Sequence, residues 1–432
     1  MTQPIEERLA AAGLPPLPRT AWAELDLEAL GSNLETIRAL AGPAVPVHPV
    51  VKADAYGHGA IPIARALTDT GADGLCVATF DEAVELRAAG IQQPVLVLYP
   101  IPAGLGEEAR RRGVAVTASD PTLLGALLTA AERWSPHDAG RPLGVHLEVE
   151  TGLGRGGFQV DGLVAAARGI ERAHGVVLAG MWTHLQAAED AERTNAQVRR
   201  FDAASAALEA AGVVLPPRHF AASGGLLTDG VLAFDGVRPG LAVYGLVPDE
   251  LLDAAGRPTG DGAGRLRPVM SLHARPVRVA DLPDGWGISY GPSFTTTRPS
   301  RIATLPLGYG DGWPRSLSNR AWALVRGQRV PLVGNVAMDA VMADVTDVPG
   351  PAVTVADEFV LLGSQGTEHI AAQDLAKERG TNSWEVVTNL AARVPRVYHA
   401  AALPRATRTL AGLIWAGDMR ADAAAARRPT QA

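Results

Sequence analysis

The chain has 432 residues, 46 acidic against 39 basic side chains for a net charge of −7, and a single cysteine, Cys76. That length exceeds one ordinary hydrophobic core and fits a barrel of about 250 residues joined to a smaller domain. No basic run or stripe is present to hold a polyanion, so nucleic acid is not an expected partner, and one cysteine forms no intrachain disulfide, which suits a reducing compartment. Met1-Thr2-Gln3-Pro4-Ile5-Glu6-Glu7-Arg8 carries acids where a signal peptide needs a positive start and an apolar core. No later stretch reaches about 18 uncharged apolar residues. The expectation is a cytoplasmic protein with no membrane partner.

Residues 1–19 bear the run Leu14-Pro15-Pro16-Leu17-Pro18 and read as an irregular arm. Trp22-Ala23-Glu24-Leu25-Asp26-Leu27 alternates like an edge strand, and Asp26 is placed to cap a helix bearing Leu30, Leu34 and Ile37. From there short apolar runs alternate with amphipathic helices. The strand candidates are residues 47–53, 75–79, 95–99, 114–117, 144–150, 177–184, 219–222 and 237–244. Eight strands, mostly one helix apart, are the count of a (β/α)8 TIM-type barrel over residues 20–248. A doubly wound sheet would also fit this alternation, but no Gly-x-Gly-x-x-Gly turn follows the first strand. Residues 249–265, rich in Gly, Asp and Ala, read as a linker. Pro- and Gly-bounded strands over 266–403 predict a mainly β C-terminal domain, and 404–432 a solvated, disordered tail.

Barrel enzymes carry their chemistry at the carboxyl ends of the strands. The unusual polar residues fall there: Lys52 after the first, Arg155 after the fifth, His184 ending the sixth, Ser223 after the seventh and Arg238 in the eighth. The loops after strands seven and eight build an anion site in many barrels, which places Ser223, Gly240 and Leu241 for a phosphate. Lys52 is the oddest. A lysine that ends a β-branched run either reaches out to solvent or is paired, modified or catalytic, and desolvation would ready its amine to condense with a carbonyl.

The decapeptide Val50-Val51-Lys52-Ala53-Asp54-Ala55-Tyr56-Gly57-His58-Gly59 closely resembles the cofactor-lysine motif of the alanine racemase family. The likeness runs over about residues 20–403 and includes Gly308-Tyr309-Gly310-Asp311-Gly312 and Arg393-Val394-Pro395-Arg396-Val397-Tyr398. It implies that Lys52 holds pyridoxal 5′-phosphate covalently and that Tyr56 touches its phosphate. Racemisation needs a base on one face of the α-carbon and an acid on the other; by resemblance these are Lys52 and Tyr290, the latter in Gly287-Ile288-Ser289-Tyr290-Gly291-Pro292. His184 would partner that phenol, Arg238 would face the pyridine nitrogen, and Arg155 would bind the substrate carboxylate and the ring oxygen. Because the tyrosine serves the other subunit in the family, a head-to-tail homodimer with shared sites is implied, with Met338-Asp339 approaching the substrate carboxylate from the partner. No metal is assigned.

Four positions depart from the family pattern. Glu148 stands where many relatives carry a carbamylated lysine, with Glu150 on the same strand face, and its fixed negative charge would replace the carbamate. Ala222 replaces an asparagine, Ala337 a cysteine, and Trp384 a phosphate-touching tyrosine, keeping one indole donor in a bulkier ring. The expected activity is interconversion of L- and D-alanine for peptidoglycan. The alternatives are a broader or serine-preferring racemase on the same fold and a non-catalytic cofactor carrier, against which Tyr290 on a full β domain argues.

Overall fold

Val-rich runs and capped helices produce the alternation that the sequence suggests. The structure, a computed structural model, describes residues 3–134, 141–228, 232–253, 256–260 and 262–417. Its contacts group into two units, one comprising Leu30–Ala55 and Ile63–Arg267, the other Met1–Ala29, Tyr56–Pro62 and Pro268–Ala432.

In the first unit the strands Leu75–Val77, Val95–Val97, Val114–Ala118, Leu143–Glu148, Val176–Trp182 and Arg218–His219 pair in sequence order, all parallel. The ring closes through single bridges, Val50 to Cys76 and Val47 to Val237, and through the Arg238 N–H donating to the Ala221 carbonyl at 2.8 Å. These positions complete the (β/α)8 barrel. Helices start where polar caps allow: Asp120 accepts from the Thr122 and Leu123 amides at 2.8 and 3.0 Å, with Pro121 as the first helical residue. The eighth segment is shorter than the expected 237–244. Pro239 has no N–H to extend the ladder, and Leu241–Tyr244 turns into a 3-10 helix. Among the described residues of 249–265, read as a linker, Leu251 and Ala263 are buried, and a Cβ at Gly260 would lie 1.9 Å from the Leu227 carbonyl oxygen.

The second unit is built on a twelve-strand sheet among the described residues. Its strand Ala21–Asp26, expected at an edge, lies inside the sheet, parallel to Arg396–Ala400 and antiparallel to Met270–Ala274. Alternation failed as a guide because both faces are covered, and Ala21 through Leu25 are all buried. One cover comes from the arm itself. Residues expected to be irregular form the helix Ile5–Ala12, ended by Gly13 at φ 69°, and Ile5, Leu9 and Leu14 pack with Trp22 and Val397. The prolines that suggested an arm lie beyond that helix. At the other end, Leu403–Thr409 and Gly412–Trp415 make an antiparallel hairpin that extends the sheet from Arg396–Ala400, where a disordered tail was expected. The rest of that tail, 418–432, lies outside the described residues.

Candidate active site

Lys52 does not simply leave a strand. It opens a left-handed turn in which Ala53, Asp54, Ala55 and Tyr56 have φ of 52°, 55°, 54° and 53°. L-residues resist this conformation by about 1–2 kcal/mol each, so surrounding contacts must enforce it. Glu82 is one such contact, its carboxylate accepting from the Ala53, Ala78 and Thr79 amides at 2.6, 2.7 and 3.1 Å. Another acts just downstream. A Cβ at Gly57 would stand 2.3 Å from the Val387 carbonyl oxygen and one at Gly59 1.9 Å from the Tyr398 hydroxyl, while Arg396 Nε donates to the Gly57 carbonyl at 2.8 Å. Tyr56 is buried beside Gly57, whose Val387 neighbour lies on the helix Ser383–Thr388 that also carries the half-buried Trp384. Burial and then the Arg155 charge lower the Lys52 amine pKa, against the opposing pull of Glu82.

The carboxyl ends of the barrel strands gather positive charge. Arg155 Nη2 lies 3.7 Å from Glu148 Oε1, and its guanidinium sits over the Tyr99 ring at 5.7 Å. Glu148 is buried, which raises its carboxyl pKa against the pull of Arg155 and Arg238. Glu150, expected to share that face, turns instead to the following loop and accepts from the Gly152 and Gly154 amides. His184 is driven down to about 3 by burial and then by Arg238, Arg155 and Lys52, so its imidazole is neutral near pH 7. Ser223 Oγ accepts from the Gly240 and Ala242 amides at 3.0 and 3.1 Å, which leaves its hydroxyl proton to donate. Gly240 thus uses its N–H on Ser223, and Leu241 follows it, buried.

Arg238 is buried, and its hydrogen-bond partners among the described residues are neutral: the Thr183 carbonyl at 2.7 Å, the His219 carbonyl at 2.8 Å and His219 Nδ1. The Trp182 ring faces the guanidinium at 4.7 Å. Burial first, with Arg155 adding to it, brings Arg238 down to about 10, still protonated at neutral pH. A guanidinium only donates, so His219 Nδ1 must accept; its proton then sits on Nε2 and is offered to His146 Nδ1 at 2.9 Å. Both imidazoles are held neutral, chiefly by burial, with His146 at about 3 and His219 well below its ordinary value.

The second unit carries the other assigned residues. Tyr290 is 77% exposed on a hairpin closed by the Gly287 to Thr295 bridge, and Met338 is 53% exposed. Their loops are zipped together: Asn335 Nδ2 donates to the Tyr290 carbonyl at 2.9 Å, and Ser289 Oγ to the Asn335 carbonyl at 2.6 Å. The structure therefore associates Lys52, Arg155, His184 and Arg238 electrostatically in one unit, and Tyr290 with Met338 in the other. Sequence reasoning missed Glu82, Tyr99, Trp182, His146 and His219 as parts of the site. The two histidines carried a usable signal, since each sits in an apolar strand where an inward imidazole needs a partner.

Three cations and one carboxylate, with a hydroxyl proton and a neutral imidazole, fit a small polyanion bearing a carbonyl that an amine can capture. A closed parallel barrel that presents such a lysine and is followed by a mainly β unit defines a two-domain, lysine-bearing barrel enzyme. Comparison with known proteins narrows the class. The alanine racemase N-terminal domain matches residues 25–248 and the alanine racemase C-terminal domain residues 269–398. Alanine racemase of Symbiobacterium thermophilum is 42% identical over 383 residues, 88% of this chain and 97% of that one. That of Desulfosudis oleivorans is 38% identical over 390 residues, 88% and 96% of the two chains. Among solved structures, alanine racemase from Bacillus anthracis with bound L-Ala-P gives a TM-score of 0.83 at 32% identity, covering 91% of this chain and 99% of that one. Alanine racemase from Bartonella henselae with covalently bound pyridoxal phosphate gives 0.75 at 28% identity, covering 88% and 100%. The chain belongs to the alanine racemase family, and it is an isomerase that racemises an amino acid.

Proposed function

We propose that the chain interconverts L- and D-alanine by two-base proton transfer, with Lys52 on one face of the α-carbon and Tyr290 of the partner subunit on the other, and that the D-alanine supplies peptidoglycan precursors. The cofactor is pyridoxal 5′-phosphate, which supplies the electron sink that makes the α-hydrogen acidic. Lys52 would hold it, Tyr56, Ser223, Gly240, Leu241 and Trp384 would surround its phosphate, and Arg238 would face its ring nitrogen. The observation that carries the reading is the amine of Lys52, fixed on a strained turn and made a weaker base by burial and by Arg155. An amine so tuned loses and regains a proton more readily than an ordinary lysine.

Each remaining residue has a task that its surroundings support. Arg155, beside Glu148, binds the substrate carboxylate, and Glu148 supplies the fixed negative charge that orients it. Arg238, brought down to about 10 by burial yet still protonated near neutral pH, donates only to a neutral imidazole and two carbonyls and has no proton to give up, so a ring nitrogen facing it would stay unprotonated. His184, neutral at working pH, hydrogen-bonds the partner subunit's phenol. The exposure of Tyr290 and Met338 supports a head-to-tail homodimer, since both side chains are available to a second copy. Trp384, Ala222 and Ala337 favour one second reading, a racemase with broader or serine-leaning preference. Solvent deuterium appearing at the α-position of L-alanine, together with a visible cofactor band that vanishes in Lys52→Ala, tests the proposal. A Lys52→Ala variant that still racemises would overturn it, and a panel of L-amino acids with chiral chromatography separates the two preferences.

A further inference from the structure

The loop bearing Met338 is held by a chain of four charges. Asp311, with no exposed surface, accepts through Oδ1 from Arg19 Nη1 at 2.6 Å and Arg393 Nε at 2.8 Å, and through Oδ2 from the Gly308 amide at 2.9 Å. Arg393 continues outward: its Nη2 donates to Asp339 Oδ1 at 2.7 Å and to the Met338 carbonyl at 3.3 Å. The Gly310 amide donates to that same carbonyl at 2.9 Å, and the Tyr309 amide to the Ala337 carbonyl at 3.0 Å. A Cβ at Gly308 would meet the Met338 oxygen at 2.5 Å, and one at Gly310 would meet Arg393 Nη2 at 2.4 Å. Turn and loop close on each other with room for glycine alone.

Charge explains why an arginine should sit there. Asp339, its side chain 66% exposed, follows directly on the residue assigned to the substrate carboxylate. An unmasked carboxylate would repel the carboxylate of an incoming amino acid; at about 6 Å in a water-like medium two unit charges interact by roughly one RT, which is about threefold in affinity. Arg393 covers that charge, and its aim is set from behind by the buried Asp311. Two carboxylates and two guanidiniums leave the cluster neutral.

We propose that Arg393 is a positioning residue that masks Asp339 and fixes the Met338 loop, so that the carboxylate of the amino acid can approach it. The proposal rests on the assignment of Met338 to that carboxylate. Arg393→Ala should raise KM for L-alanine about threefold while kcat stays within about twofold, with the increase shrinking at high salt because exposed charges are screened. The inhibition constant of acetate, a carboxylate without the amine, should rise in parallel. Adding Asp339→Asn to Arg393→Ala should return KM towards the parent value, since the unmasked charge is gone. Where Arg393→Ala does not fold, Arg393→Lys carries the comparison, because one ammonium cannot reach both carboxylates. A fall in kcat with KM unchanged, or no rescue by Asp339→Asn, overturns the proposal. The underlying reading fails separately: parent enzyme that exchanges no α-deuterium removes the reaction, and Met338→Pro, which removes the main-chain N–H able to donate to a carboxylate, with unaltered KM and acetate inhibition removes the carboxylate assignment.

Discussion

Glu148 is the residue on which the barrel half of the site turns. Its carboxylate is buried against Arg155 and within the field of Arg238, and burial holds its pKa above the usual carboxylate range. The sign follows from that direction. As pH falls through the raised pKa the group takes a proton, the charge proposed to orient Arg155 is lost, and kcat/KM should decline at a higher pH than an ordinary carboxylate would dictate. Glu148→Gln, which keeps shape but not charge, should lower kcat/KM about tenfold, worth about 1.4 kcal/mol, and should erase that acid limb. A pH–rate profile of the variant with the limb intact would assign the titration to another group. His184 contributes no limb near neutrality, because at about 3 it is already unprotonated there. Lys52 was legible from the sequence because a cation at the end of a Val-rich run is costly unless used. The His219 to His146 contact was not, since those rings lie 73 residues apart and only closure of the barrel brings them together.

Among the elements, the helix Ile5–Ala12 shows most plainly what local pattern hides. Its Arg8 pairs with Glu24 across 16 residues, Nη1 to Oε2 at 2.9 Å, and Trp22 Nε1 donates to the same carboxylate at 3.0 Å. Burial alone would push Glu24 up, but the hydrogen bond from Arg8, the charge of His273, the charge of Arg8 and the Trp22 bond outweigh it and bring it to about 2. A depressed carboxyl stabilises the fold above its unfolded value of 4.5, and that contribution is lost as pH falls towards 2. That displacement corresponds to about 3 kcal/mol. Arg8→Ala would strand the buried carboxylate and should destabilise by about 3 kcal/mol, read as a lower denaturation midpoint at pH 7. The gap between variant and parent should narrow as pH falls towards 2, where Glu24 takes a proton in the parent and the pair is lost. A gap independent of pH would mean that Arg8 acts through packing alone. Three prolines after residue 13 hid this helix, whereas the barrel strands were legible because Val-rich runs recur at the spacing that one helix per strand imposes. The terminal hairpin escaped for the opposite reason: Leu403–Thr409 alternates with arginines and threonines, and its partner strand Arg396–Ala400 supplies the order that its own composition does not.

At the scale of the whole molecule, the two units place their chemistry on different side-chain sets. The barrel unit holds buried cations and a tuned amine, whereas the β unit exposes Tyr290, Trp286 and Met338, three large apolar or aromatic side chains on or near zipped loops. Exposed side chains of that kind are available to the partner copy that the proposed reaction calls for. A head-to-tail pairing in which each subunit's phenol serves the other's lysine has a quantitative signature. Lys52→Ala and Tyr290→Phe should each be nearly inactive alone. When the two are mixed under conditions that let subunits exchange, random pairing makes half of all dimers mixed. Each mixed dimer has one site with both substitutions and one with neither, so activity should recover to roughly a quarter of the parent level at equal protein concentration. Recovery should grow at the subunit exchange rate and disappear if exchange is blocked by crosslinking each homodimer beforehand. Mixtures that stay inactive while mass measurement shows mixed dimers forming would place the lysine and the phenol of one site on a single chain, and the shared-site arrangement would fall while the racemase fold stood.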